Sequence, residues 1–164
     1  MVANGPDIGN AKALRAGLAP GRRLLGLDPG TKRVGLALSD VTLAIASPAG
    51  ALARGKLAAM AALLAPLVAK EGVGGLVVGL PLEMDGRFGP AAQAARDFAR
   101  DLAARLALPW AMMDELLSTA AAQRALTAEA DLSRARRAAL VDGMAAAWML
   151  QAMLDSTRDS DRAG

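Results

Sequence analysis

A chain of 164 residues is long enough for one domain with a buried core and too short for two full-sized ones. It contains neither cysteine nor histidine, which excludes disulfide frameworks, thiol and imidazole catalysis and ordinary zinc sites, and leaves carboxylates, hydroxyls, Lys and Arg for chemistry. The net charge of +3 and a pI near 9.9 fit a polyanionic partner, and although 54% of the residues are apolar, no run of 18 uncharged ones forms a membrane span.

Residues 1–21 carry Gly, Pro and Asn without sustained periodicity and no secretory signal, and are expected to form a disordered tail. Residues 23–28 read as a short buried strand, 29–32 as a turn and 33–39 as a returning strand. A third strand is expected from Leu43 to Ala46, continuing irregularly past Pro48 towards Leu52, because proline suits an edge or a boundary. In residues 56–70 the apolar positions Leu57, Met60, Leu63, Leu64, Leu67 and Val68 mark one helical face, with Pro66 as a conflict that would kink it.

The β-branched run 75–80, flanked by glycines, reads as a central parallel strand, and 81–89 as a loop. Residues 90–106 follow as a helix that Pro109 ends, and 110–115 as a strand closing on acidic residues. A short helix capped by Ser118 or Thr119 runs to about Leu126, and 127–132 form a connector. A long final helix is expected from Ser133 to about Leu154, with Leu140, Met144, Ala147, Trp148 and Met153 in the core. The order predicts an α/β domain over residues 22–155, a mixed central sheet with helices on both faces, and a frayed tail over 156–164.

Three acids stand out. Asp28 ends an apolar strand and suits either a metal ligand at a strand tip or a turn-initiating Asp before Pro29 and Gly30. Of Asp114 and Glu115, side-chain alternation allows only one to share a side with Asp28; Glu115 is favoured, while Asp114 could cap the following helix or either acid could be solvated. Asp142 interrupts the apolar face of the last helix, where a buried acid needs a purpose, unless it faces solvent or pairs with Arg137. If the acids converge they form an oxygen cage for Mg²⁺ or Mn²⁺, the chemistry of phosphodiester hydrolysis. Lys32, Arg33, Arg87, Arg134, Arg136 and Arg137 are candidate phosphate contacts or ordinary surface charges. Scarce aromatics, two Phe and two Trp without Tyr, favour backbone contact over base stacking. An Arg-rich, Ala-rich composition can also reflect bias in the encoding genome.

Four ordered stretches carry a resemblance: residues 26–35 with Ser39 and Asp40; Val77-Val78-Gly79-Leu80-Pro81 with Asp85 and Gly86; Asp114 to Thr119; and Val141-Asp142 with Ala145, Ala146, Leu150 and Gln151. Over about residues 24–154 the chain resembles the YqgF/RuvX family, described as Holliday junction resolvases and as pre-16S rRNA nucleases. The resemblance implies a ribonuclease H-like fold, a cytoplasmic endonuclease that matures the 5′ end of small-subunit ribosomal RNA, and Asp28, Glu115 and Asp142 as its catalytic, metal-holding acids. It implies structured RNA or branched DNA as partner, no membrane, and leaves monomer or homodimer open. Where the family usually has Arg after the Asp-Glu pair this chain has Leu116, which takes away one phosphate partner and keeps a non-catalytic nucleic-acid-binding ribosome or transcription factor as an alternative. The Leu27-Asp28-Pro29-Gly30-Thr31 turn also resembles the phosphate loop of actin-like ATPases, but one domain of this size leaves no second wall for a nucleotide cleft.

Overall fold

The computed structural model describes residues 10–30, 32–80, 89–114 and 134–161. In chain order these form α1 (Ala11–Ala16), β1 (Arg23–Pro29), β2 (Arg33–Ser39), β3 (Ala46–Ala53), α2 (Leu57–Glu71), β4 (Val73–Leu80), α3 (Pro90–Leu106), β5 (Trp110–Asp114) and α4 (Arg134–Asp161). The strands make one sheet in the order β3-β2-β1-β4-β5, antiparallel across β3, β2 and β1 and parallel across β1, β4 and β5. The expected mixed sheet with helices on both faces is therefore present.

The central strands owe their continuous apolar runs to cover on both sides. Side chains alternate between two cores. Leu25, Leu27, Val34, Leu36, Leu76, Val78 and Trp110 pack with Met60 and Leu64 of α2 and Phe98 and Leu102 of α3. Leu24, Ala37, Val77 and Ala111 pack with Leu14 of α1 and Met149, Leu150, Met153 and Leu154 of α4. β3 is an edge strand with mostly exposed side chains, and Pro48 and Gly50 within it suit that edge. It runs from Ala46 to Ala53, starting three residues later than expected and passing through Pro48 to end one residue beyond Leu52.

The helix expected over 56–70 is present as α2, which continues through Pro66 because Pro66 and Ala62, whose carbonyl loses its amide partner, both lie on the exposed side where water can substitute. Two side-chain expectations need correcting. Leu63 is 64% exposed rather than part of the buried face. Trp148 is 39% exposed and, with Pro48, Met144 and Gln151, lines a groove of about 250 Å³ beside β3 rather than the core. The expected short helix and connector over 118–132, and most of the loop over 81–89, fall outside the described residues.

Both presumed tails contribute structure. Within 1–21, α1 is capped by the Asn10 side chain, which accepts from the Ala13 amide at 2.7 Å. Leu14 is 1% exposed and fits where β4 carries no side chain, so that a Cβ on Gly75 would lie 2.9 Å from Leu14 Cδ1. Within 156–164, α4 extends to Asp161 and buries Thr157. The Arg15 guanidinium donates to the Leu154 carbonyl at 2.9 Å and to Thr157 Oγ1 at 3.1 Å, so α1 and the end of α4 hold each other.

At the far end of the β1–β2 hairpin, buried Ser39 accepts from the Leu24 amide at 2.8 Å and donates to the Asp40 carbonyl at 3.1 Å. Ser39→Ala leaves that buried amide without its partner and is expected to cost about 1–3 kcal/mol. Urea denaturation should show a lower midpoint with an unchanged slope.

Candidate active site

Asp28 lies one residue before the end of β1, opposite Gly35 of β2. Alternation along β1 puts it with Leu24 and Gly26 on the face covered by α4. Gly26, two residues earlier, lies beneath Leu150 of α4, Gly35 faces Asp28, and Gly79 lies on β4 one residue beyond the Leu27–Val78 pair. The carboxylate is partly buried and, among the described residues, makes no hydrogen bond or ion pair. A carboxylate at a strand end without a partner among the described residues is a candidate ligand for a hard cation.

The C-terminal end of β5 lies two strands from β1, about 10 Å away at ordinary strand spacing. Asp114 closes β5 in register with Leu80, one step beyond the row through Gly79 and Met113. On the same strand Ala111 and Met113 pack towards α4 while Trp110 and Met112 pack towards the other face. Glu115 falls outside the described residues, as does Arg87.

α4 carries the remaining acid. Gly143 sits directly on β3: a Cβ there would lie 3.3 Å from Pro48 Cβ and 3.5 Å from the Gly50 carbonyl oxygen. Ala51, next along β3, is in register with Gly35, which faces Asp28. The α4 backbone at Asp142 thus crosses the sheet on the β3 side of Asp28, with the end of β5 on the other. The side chains of Asp142, Arg134, Arg136 and Arg137 are outside the described set. No three acidic side chains gather at ligand distance among the described residues.

Of the candidate phosphate contacts, Lys32 and Arg33 are exposed at the Asp28 end of the hairpin. Arg33 shares the alternation of Gly35 and Ala37, placing it diagonal to Asp28 on the same face. Sequence reasoning missed Arg54 and Lys56, which are exposed just after β3 at this same end. The Arg-Gly-Lys run between strand and helix was the available signal, but only the β2–β3 pairing of Arg33 with Ala53 brings it to the hairpin tip.

Other residues carrying the resemblance hold the scaffold. Asp40 closes the β2–β3 connection: its Oδ1 accepts from the Ala44 and Ile45 amides at 2.8 and 3.0 Å, and Oδ2 accepts from the Thr42 hydroxyl. Gln151 ties α4 to that connection, donating to the Ala44 carbonyl and accepting from the Ala46 amide, each at 2.9 Å. The Ile45 amide above all, then the Thr42 hydroxyl, lowers the Asp40 carboxyl to about 2. A lowered folded-state value means that its stabilisation is full above the ordinary carboxylate range, about pH 4, and is lost as pH falls through about 2. Asp40→Asn keeps an acceptor without the charge, so the stability gap to the unmodified chain should be widest above about pH 4 and close towards pH 2.

The family model described as "RuvX: Holliday junction resolvase" matches residues 22–156. A protein of Gluconacetobacter diazotrophicus named "Putative pre-16S rRNA nuclease" is 57% identical over 150 residues, covering 92% of this chain and 97% of that one. One of the same name from Acidiphilium cryptum is 55% identical over 146 residues, covering 89% and 92%. Among solved structures, Thermus thermophilus RuvC in complex with a Holliday junction substrate aligns with a TM-score of 0.52 at 16% identity, covering 84% of this chain and 96% of that one. That likeness supports the ribonuclease H-like fold. No helix among the described residues is long and apolar enough to cross a membrane.

Proposed function

Because the chain belongs to the RuvX family of Holliday junction resolvases, we propose that it is an endonuclease of the cytoplasm that hydrolyses phosphodiester bonds in pre-16S rRNA and processes its 5′ end. The names of its relatives support that substrate. The observation that carries the reading is Asp28, a partly buried carboxylate at a strand end with no partner among the described residues. The nuclease unit is assigned to residues 22–155.

We assign catalysis to Asp28, Glu115 and Asp142. The alternation of Ala111 and Met113 towards α4 supports Glu115 over Asp114, and the closeness of Gly143 to β3 supports Asp142. Hard carboxylate oxygens, those of Asp28 without a partner among the described residues, suit Mg²⁺ or Mn²⁺. When bound, such a cation lowers the barrier to attack by water and offsets charge on the departing oxygen. Asp28 contributes a carboxylate oxygen held at the end of β1. Arg33, on the Asp28 face, neutralises and orients the incoming phosphate, with Lys32 beside it. Arg87, Arg134, Arg136 and Arg137 are assigned to contacts with the nucleic-acid backbone.

Branched DNA is the second substrate reading, favoured by the family's description. Purified chain given Mg²⁺ or Mn²⁺ is expected to cut a precursor RNA spanning the 5′ end of 16S rRNA faster than a four-way DNA junction; the reverse order would favour the second reading. Asp28→Asn should abolish cleavage while leaving salt-dependent nucleic-acid binding in place. Cleavage persisting in that variant, after contaminant controls, would overturn the catalytic assignment. Arg33→Ala should instead weaken binding across sequences and lower the salt slope by about one.

A further inference from the structure

The turn that carries Asp28 has little to hold it by its own sequence. Pro29 has no amide to donate, and the hairpin closes through the Gly30 amide, which donates to the Arg33 carbonyl at 2.8 Å. Gly30 is required here, because a Cβ would lie 2.8 Å from that same carbonyl oxygen. What anchors the turn from outside is Arg54, the residue after β3. Its backbone amide donates to the Lys32 carbonyl at 2.9 Å, extending the β2–β3 ladder by one rung onto the turn. Its guanidinium Nη1 donates to the Gly30 carbonyl at 2.8 Å, two residues from Asp28. The guanidinium carbon lies 5.4 Å from the centroid of the Phe98 ring, and Phe98 belongs to the buried core between the sheet and α3.

These contacts put the Arg54 head on the side of the sheet opposite to Asp28. Phe98 packs with Leu25 and Leu27, whereas Asp28 shares the face of Leu24 and Gly26. Arg54 thus differs from Arg33, which shares the Asp28 face. Its effect on the reaction passes through Gly30.

We propose that Arg54 is a positioning residue for catalysis: by joining Gly30 to the Phe98 face of the core, it fixes the turn and with it the direction of the Asp28 carboxylate. The inference rests on the assignment of Asp28 as a catalytic acid. Arg suits the task because its planar fork can donate in plane to a carbonyl while its face lies over an aromatic ring.

The test compares Arg54→Ala, Arg54→Lys and Arg33→Ala in the full chain by cleavage kinetics and by hydrogen exchange of the Gly30 and Arg54 amides without substrate. Arg54→Ala is expected to lower kcat roughly ten- to a hundredfold, the scale of a small misplacement of a reacting group, with KM and salt dependence close to those of the unmodified chain. Exchange at both amides should accelerate while Leu25 and Val77 stay protected. Arg54→Lys, which can still reach the carbonyl, should recover part of kcat and of the protection. Arg33→Ala should show the opposite split, with raised KM and unaltered Gly30 exchange. Unchanged Gly30 exchange in Arg54→Ala, or a loss confined to KM and salt dependence, would overturn the positioning role. Absence of nuclease activity in the unmodified chain would overturn the underlying catalytic assignment, and with it the catalytic part of this proposal; the exchange measurement would still decide the anchoring of the turn.

Discussion

Everything on the Asp28 face depends on how closely α4 lies on the sheet, and two glycines set that distance. A Cβ on Gly26 would approach Leu150 Cβ to 3.2 Å, and one on Gly143 would approach Pro48 Cβ to 3.3 Å. These neighbours are atoms fixed to the backbone, unable to move aside by a change of rotamer, so larger residues would lift the helix bodily. Lifting it would pull the Gln151 amide from Ala44 and Ala46 and raise the backbone at Asp142 away from the level of Asp28. Packing on one face and the geometry of the proposed site are thus a single constraint, imposed from both ends of the same stretch of helix.

The parts of the fold that could be read from sequence are those written in long patterns. β1 and β4 are continuous apolar runs because both faces are covered, α3 has a clear helical stripe, and Asp28 is conspicuous as an acid closing an apolar strand. The parts that could not be read depend on contacts distant in sequence. α1 is only six residues long, too short for periodicity to register, and its burial depends on Gly75 leaving space for Leu14. Trp148 looks like a core residue by composition, yet the helix turns it towards the edge beside β3. Arg54 reads as an ordinary surface charge until the sheet brings it to a turn 24 residues earlier in the chain.

The residues that carry the family resemblance divide by task. Asp28 is the one proposed for chemistry, but Ser39, Asp40 and Gln151 spend their polar groups on the backbone of β1 and of the β2–β3 connection. Three of the most recognisable positions therefore report the fold rather than the reaction. Similarity to RuvC at 16% identity likewise speaks to the architecture, whereas the family assignment stands on matches that span most of the chain.

The clamp between Arg15 and the end of α4 has a consequence for how the molecule is made. Its two hydrogen bonds span 139 and 142 residues, almost the whole chain, and contacts of such separation form only after a large loop is closed. During synthesis the sheet can begin to pair while α1 waits for the end of α4 to emerge. Since α4 is also the element that carries Asp142, the acids assigned to catalysis can meet only after the strands and α4 have all been made.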